Sequence, residues 1–168
     1  MPKSKDTTYN LNSNQNENKY SSSKESAIGA ICNVDTPRGQ CPRLWGRIYY
    51  NITSDADKTL AVTYKGSSYS NYSDEYSGSI TIPATVTYNG VAYSVTSIGG
   101  SAFRDCRSLT TITLPEGVTS IGDYAFYSCS ILNAITIPES VTSIGWDAFQ
   151  LCNSLTAITL PQGVTSIG

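Results

Sequence analysis

Histidine is absent from the 168 residues. Its absence removes the Ser/His/Asp and Cys/His nucleophilic arrangements, the commonest metal ligand and the usual general base at neutral pH. Charge is scarce as well. Charged residues make up 14% of the chain, against roughly 25% in an average globular domain. A net charge of -2 gives no electrostatic case for nucleic acid or an anionic membrane surface. No apolar run approaches the length of a membrane span. The first 20 residues contain no apolar core, and the AIGAIC stretch at 27–32 is too short to be a secretory signal, so either the chain is cytosolic or its true N-terminus lies upstream. No CxxC pair is present, as a zinc site would require. The acids show no catalytic grouping either. Asp55 and Asp57 fall in a turn, Glu116 and Glu139 recur beside prolines, and none has a nucleophile or base as neighbour. The expectation is a non-enzymatic chain without cofactor or metal.

What is plentiful is Tyr, with 12 residues, together with Thr and Ser, a β-rich composition with polar, uncharged outer faces. The dominant feature is a repeat. LTTITLPEGVTSIGDYAFYSCSI from Leu109 recurs as LNAITIPESVTSIGWDAFQLCNS from Leu132 and as LTAITLPQGVTSIG from Leu155. A fixed period of 23 residues is the mark of stacked units that cannot bury their apolar faces alone. Ile112 and Leu114, Ile135 and Ile137, and Ile158 and Leu160 alternate with polar residues, which predicts inward-facing strand positions in a parallel sheet. Pro115, Pro138 and Pro161 end that strand because proline lacks the ladder donor. Val118, Ile121 and their equivalents form a second apolar pair. Gly122 and Gly145 are expected to permit a turn that a Cβ would obstruct. The spacing of Ala125, Phe126 and Cys129 predicts a single helical turn that drops Phe126 into the core. Cys106, Cys129 and Cys152 share one phase and read as small buried hydrophobes. Cys32 and Cys41 pair only if the compartment is oxidising.

Taken in order, residues 1–43 form an Asn/Ser-rich tail expected to be disordered, since it cannot bury enough apolar area to offset its ordering entropy. Residues 44–95 are expected to form an N-terminal β cap. Two strands at 45–53 and 59–64 make a hairpin, a Tyr/Ser loop covers 66–78, and Ile80, Ile82 and Val86 begin a modified first coil. That coil carries an inserted hairpin turning at Asn89-Gly90. Residues 96–168 hold the regular 23-residue repeats and stop in mid-repeat at Gly168, which predicts a fragment of a longer chain or end-to-end self-association through an uncapped C-terminal coil. Asn51-Ile52-Thr53 and Asn71-Tyr72-Ser73 fit the N-glycosylation pattern.

The pattern LxxIxLPxxVTSIGxxAFxxCxx, dense over 109–168 and continued upstream by YSGSITIPATVTYNGVAYSVTSIGGSAF, resembles the 23-residue class of BspA-like leucine-rich repeats of bacterial and protozoan surface proteins. Pro and Val stand where the general leucine-rich repeat has an Asn ladder. The resemblance implies a mainly β leucine-rich-repeat solenoid with short helical turns and an N-terminal β-hairpin cap. It further implies extracellular or cell-surface exposure and adhesive binding to proteins such as host matrix components. The candidate binding surface is the outward row of the sheet, Thr110, Thr111, Thr113, Asn133, Thr136, Thr156 and Thr159, although Thr also suits exposed strands for structural reasons alone. Positions that change between repeats carry more information, and Tyr124, Tyr127 and Trp146 among them are of the types enriched at binding hot spots. The Thr119-Ser120 row, identical in every repeat, reads as structural spacing. The alternative to a binding module is a structural spacer without its own ligand.

Overall fold

The computed structural model describes residues 27–28, 48–64, 75–88 and 90–168. The proposed tail other than 27–28, the Cys32–Cys41 pairing, most of the Tyr/Ser loop, Asn71 and Asn89 lie outside the described residues.

Among the described residues eleven strands form two sheets. In chain order they are β1 (Ala27–Ile28), β2 (Tyr49–Ser54), β3 (Thr59–Thr63), β4 (Ser77–Thr81), β5 (Thr85–Tyr88), β6 (Val91–Ile98), β7 (Ser108–Thr113), β8 (Ser120–Ile121), β9 (Ala134–Thr136), β10 (Ser143–Ile144) and β11 (Ser166–Ile167). The larger sheet runs β1-β2-β3-β6-β8-β10-β11, with β5 paired to β6, and the smaller runs β4-β7-β9. β2 and β3 form the expected antiparallel hairpin, with Tyr50 opposite Val62. β5 and β6 form the second, with Tyr88 opposite Val91 across a two-residue loop, and Gly90 takes φ +76° there. Such a loop needs left-handed backbone, which glycine supplies without steric cost.

From β6 onward the pairing is parallel and keeps the sequence period. Ser97, Ser120, Ser143 and Ser166 stand in register, as do Ile98, Ile121, Ile144 and Ile167. In the smaller sheet Ile80, Ile112 and Ile135 align. β4 is therefore the first rung of the same array, in the phase that Ile80 and Ile82 predict. β7 ends at Thr113 and β9 at Thr136, two residues before the prolines. The core is a continuous column whose largest buried members include Tyr50, Tyr76, Phe103, Phe126, Leu109 and Leu132. Phe103, Phe126 and Phe149 stack with near-parallel rings, 5.1 and 5.3 Å between centroids.

Two expectations change and one is sharpened. No helix occurs among the described residues, so the predicted short helical turns are absent. Residues 124–128 instead alternate their donors. Ala125 and Tyr127 donate N–H within the turn, to Gly122 and Tyr124, whereas Tyr124, Phe126 and Ser128 donate across to the carbonyls of Trp146, Ala148 and Gln150 in the next repeat. Tyr124 and Ser128 adopt φ 56° and 62°, which breaks α-helical continuity. The turn thus satisfies its backbone through its neighbour. Second, Gly122 and Gly145 leave no room for a Cβ, as expected, but neither has a positive φ; the obstruction comes from the adjacent repeat, which nearly touches them. A Cβ on Gly122 would lie 2.6 Å from the nitrogen of Gly100, and one on Gly145 would lie 2.5 Å from that of Asp123. Third, residues 155–160 form no strand, and Leu160 is 42% exposed instead of facing inward.

The cysteines match their expected packing. Cys106, Cys129 and Cys152 are buried free thiols. Cys129 Sγ donates to the Phe103 carbonyl at 3.0 Å and Cys152 Sγ to that of Phe126 at 3.1 Å. Contact with the Cys152 thiol, together with burial, pushes the Cys129 thiol above its ordinary range.

Candidate surfaces for recognition

Each full repeat has three sides: the strand of the smaller sheet, the short strand of the larger sheet, and the turn between them. The sequence-predicted residues divide among these sides.

On the smaller sheet, Thr113 and Thr136 are exposed and directly paired. Thr111 pairs with Ala134, and its hydroxyl is hydrogen-bonded to that of Ser79. Thr110 is the extra residue of a bulge, since Gly78 opposes Leu109 and Ser79 opposes Thr111. It is half-buried, and its carbonyl accepts the Asn133 N–H at 3.0 Å. The bulge allows Leu109 and Ile112, three residues apart, both to point inward. Asn133, Thr156 and Thr159 are exposed, and none of the three lies in a strand. Ser79 and Thr81 are two residues that sequence reasoning missed: exposed on β4, they extend the Thr111 and Thr113 rows by a further rung. Their signal was present, because Ile80 and Ile82 share the phase of Ile112 and Leu114.

On the larger sheet, the Thr119 and Thr142 hydroxyls donate 3.2 Å bonds to the Thr96 and Thr119 carbonyls, and Thr165 repeats the pattern onto Thr142. This row is spent on holding the rungs together.

The turn side gathers the residues that vary between repeats. Tyr124 and Tyr127 meet edge to face at 5.8 Å. The guanidinium of Arg104, from the preceding repeat, lies 4.5 Å from the Tyr127 ring centroid and 5.3 Å from that of Tyr124; its Nε is 3.5 Å from the Asp105 carboxylate. Arg104 is a third residue that sequence reasoning missed. At the corner shared with the larger sheet, Trp146 is 68% exposed, and its backbone N–H donates to Asp123 Oδ1 at 2.8 Å. Beside them runs a groove of about 490 Å³, bounded by Gly100, Asp123, Trp146 and the Ser120, Ser143 and Ser166 row. The described residues contain no group of His, Cys, Asp or Glu side chains able to hold a metal ion, and no helix long and apolar enough to cross a membrane.

The family described as BspA type leucine rich repeat region matches residues 67–168 in six copies. A leucine-rich repeat protein of Bacteroides ovatus ATCC 8483 is similar in structure with a TM-score of 0.62 and 39% identity, over 72% of this chain and 30% of that one. One from Bacteroides capillosus ATCC 29799 gives 0.62 and 33%, over 73% of this chain and 84% of that one. A leucine rich cell surface protein of Faecalibacterium prausnitzii A2-165 gives 0.55 and 36%, over 70% and 30%. The chain thus spans under a third of the B. ovatus and F. prausnitzii proteins. No curated protein matches it.

Proposed function

The chain belongs to the BspA-type leucine-rich repeat family, and on that premise we propose that it is a non-enzymatic protein-binding module, adhesive in role, within a cell-surface protein. Its 23-residue coils stack as a solenoid, residues 44–95 serving as the N-terminal cap and 96–168 as the repeats. The observation that carries this reading is the smaller sheet. Three parallel strands hold Ser79, Thr81, Thr111, Thr113 and Thr136 in register on a face bearing hydroxyls and no charge. Hydroxyl-bearing, β-branched side chains form a stiff surface that loses little rotamer entropy when covered. The family fits a protein-binding repeat, and the cell-surface description of the F. prausnitzii relative supports the same location for this chain.

The test is solid-phase binding to fibronectin, laminin and collagen. Wild type is expected to bind at least one. Thr113→Lys with Thr136→Lys places two like charges in a directly opposed pair and is expected to reduce that binding about tenfold, with the far-UV circular dichroism unchanged. Full binding by the double variant would remove the sheet from the interface.

A second reading, a spacer or self-associating segment without its own ligand, draws on Leu160 and Ile167, which are 42% and 61% exposed. Light scattering behind size exclusion separates the two. Concentration-dependent oligomers that ignore all three matrix proteins support the spacer, and a monomer that binds one supports the module.

A further inference from the structure

We propose that the groove beside Trp146 is a second recognition site, one that takes a Lys or Arg side chain of an extended segment of a protein partner. The inference rests on the protein-binding reading above and adds to it a site on another side of the repeat and a chemistry for the ligand.

Two residues make the site. The Asp123 carboxylate is fixed by the bond its Oδ1 accepts from the Trp146 N–H. No other hydrogen bond or ion pair engages the Asp123 carboxylate among the described residues, so Oδ2 is left to the groove. The indole of Trp146 forms the adjoining wall, and at 68% exposure most of its surface is available. A carboxylate oriented in advance next to an aromatic wall suits an ammonium or guanidinium, which gains an ion pair and a cation–π contact together. The lining contains one acid and neither Lys nor Arg, so the charge offered is negative and uncompensated. The remaining walls are compatible with a main chain drawn along the stack. Gly100, Gly122 and Gly145 project no side chain, and Ser120, Ser143 and Ser166 stand in register as hydroxyls able to donate or accept.

The variation between repeats points the same way. Gly100, Asp123 and Trp146 occupy one position in successive repeats, whereas the serine row beside them does not change. A purely structural column would repeat a single residue type, as Gly122 and Gly145 do. Here the floor is constant and the reading positions differ, which is the arrangement expected of side-chain-specific recognition on a regular frame.

Isothermal titration calorimetry of the 168-residue chain tests this with three probes: an alternating Lys-Ser decapeptide, its Glu-Ser counterpart, and cellohexaose as an uncharged glycan. The Lys-Ser peptide is expected to bind, and to bind more weakly as salt is raised; the Glu-Ser peptide and the glycan are not. Asp123→Asn retains the oxygen that accepts from the Trp146 N–H and removes only the charge, and Trp146→Ala removes an exposed ring. Each is expected to weaken Lys-Ser binding about threefold to tenfold, with circular dichroism unchanged. Thr113→Lys with Thr136→Lys on the smaller sheet is expected to leave it as in wild type. Binding of cellohexaose but not of Lys-Ser would overturn the proposal in favour of a glycan site. Lys-Ser binding indifferent to both groove variants, or no binding by any probe, would also overturn it. Matrix binding lost on altering the sheet would still stand in those cases, so the two proposals fail separately.

Discussion

A glycine at 122 or 145 is the most constrained single residue of the repeat. Glycine is often invoked for backbone freedom, but here it is required by the distance between neighbours, because a Cβ on Gly122 would sit 2.6 Å from the Gly100 nitrogen. Backbone atoms cannot move aside as the tip of a flexible side chain can, so the rungs must separate locally. Gly122→Ala is expected to destabilise the protein by about 1 to 3 kcal/mol, the usual range for overpacking, read as a lower urea midpoint. Gly117 has open space around its missing Cβ, so Gly117→Ala meets only the strain of its φ of +100°. If Gly122→Ala were no worse than Gly117→Ala, close approach would not be the governing constraint. Glycine at a fixed phase and the exclusion of a Cβ were legible from sequence; what excludes it was not, because the neighbour that clashes is a backbone 22 residues away. Leu151 and Tyr124 show the converse. Both hold left-handed backbone at φ 62° and 56° with bulky side chains and no glycine to signal it.

At the scale of elements, strands and hairpins followed the sequence closely except at 155–160, where the expected strand does not form. Alternation, prolines and the Asn-Gly pair each act over a few residues, and each has a local physical cause. The turn at 124–128 did not follow. Ala125, Phe126 and Cys129 point inward in either a helical turn or the observed one, and five residues are too few for apolar spacing to separate them. What decided was the availability of acceptors on the next repeat, which local pattern cannot report. The candidate site divides in the same way. The exposed tyrosines and Trp146 were legible as residues that change between repeats, whereas the Asp123–Trp146 bond and the Arg104 stack exist only once the repeats are stacked.

One buried side chain reinforces the junction that the β3–β6 ladder makes between the N-terminal hairpin and the repeats. Tyr76 is fully buried, its ring 4.7 Å from Phe103 at the start of the stacked column. Its hydroxyl donates to the Thr63 carbonyl at 2.8 Å and accepts the Tyr49 N–H at 3.1 Å. Burial pushes both the Tyr76 and Tyr50 hydroxyls up, well beyond the usual tyrosine range. A folded-state pKa raised above the unfolded value contributes stability that is present below the unfolded pKa and lost as pH rises beyond it. Stability is therefore expected to fall steadily above about pH 10, as the unfolded tyrosines ionise and the buried ones cannot. Tyr76→Phe keeps the ring but leaves a buried N–H and carbonyl unpaired, at a cost of about 1 to 3 kcal/mol near neutrality. It should also flatten the alkaline decline. Urea midpoints at pH 7, 9 and 11 check both effects, and an unaltered alkaline slope in Tyr76→Phe would assign the decline to other groups.

For the whole molecule, the regularity of the register means that one repeat is exchangeable for the next. Ser120 pairs with Ser143 and Ser143 with Ser166, each through equivalent residues. The donors of one turn always meet the same carbonyls of the following one. Removing residues 132–154 joins Ile131 to Leu155 and brings Ser166 opposite Ser120, Val164 next to Val118 and Leu155 against Leu109, with every inward position filled by a residue of the same kind. Such a deletion is expected to leave a folded protein, because stability in a repeat array is close to a sum over units and their nearest-neighbour contacts. Stability falls by one unit and one contact, and the urea m-value falls by roughly one fifth, in proportion to the surface no longer buried on folding. Removing residues 135–154, three fewer, shifts the phase so that Ala157 and Pro161 take the places of Ile137 and Val141, and Thr165 takes that of Gly145, where a Cβ would meet backbone at 2.5 Å; that chain should not fold. Circular dichroism and urea titration of the two deletions decide the matter. If the 23-residue deletion unfolded as completely as the 20-residue one, the repeats would not be equivalent units, and the N-terminal hairpins would have to hold the array through contacts specific to particular repeats.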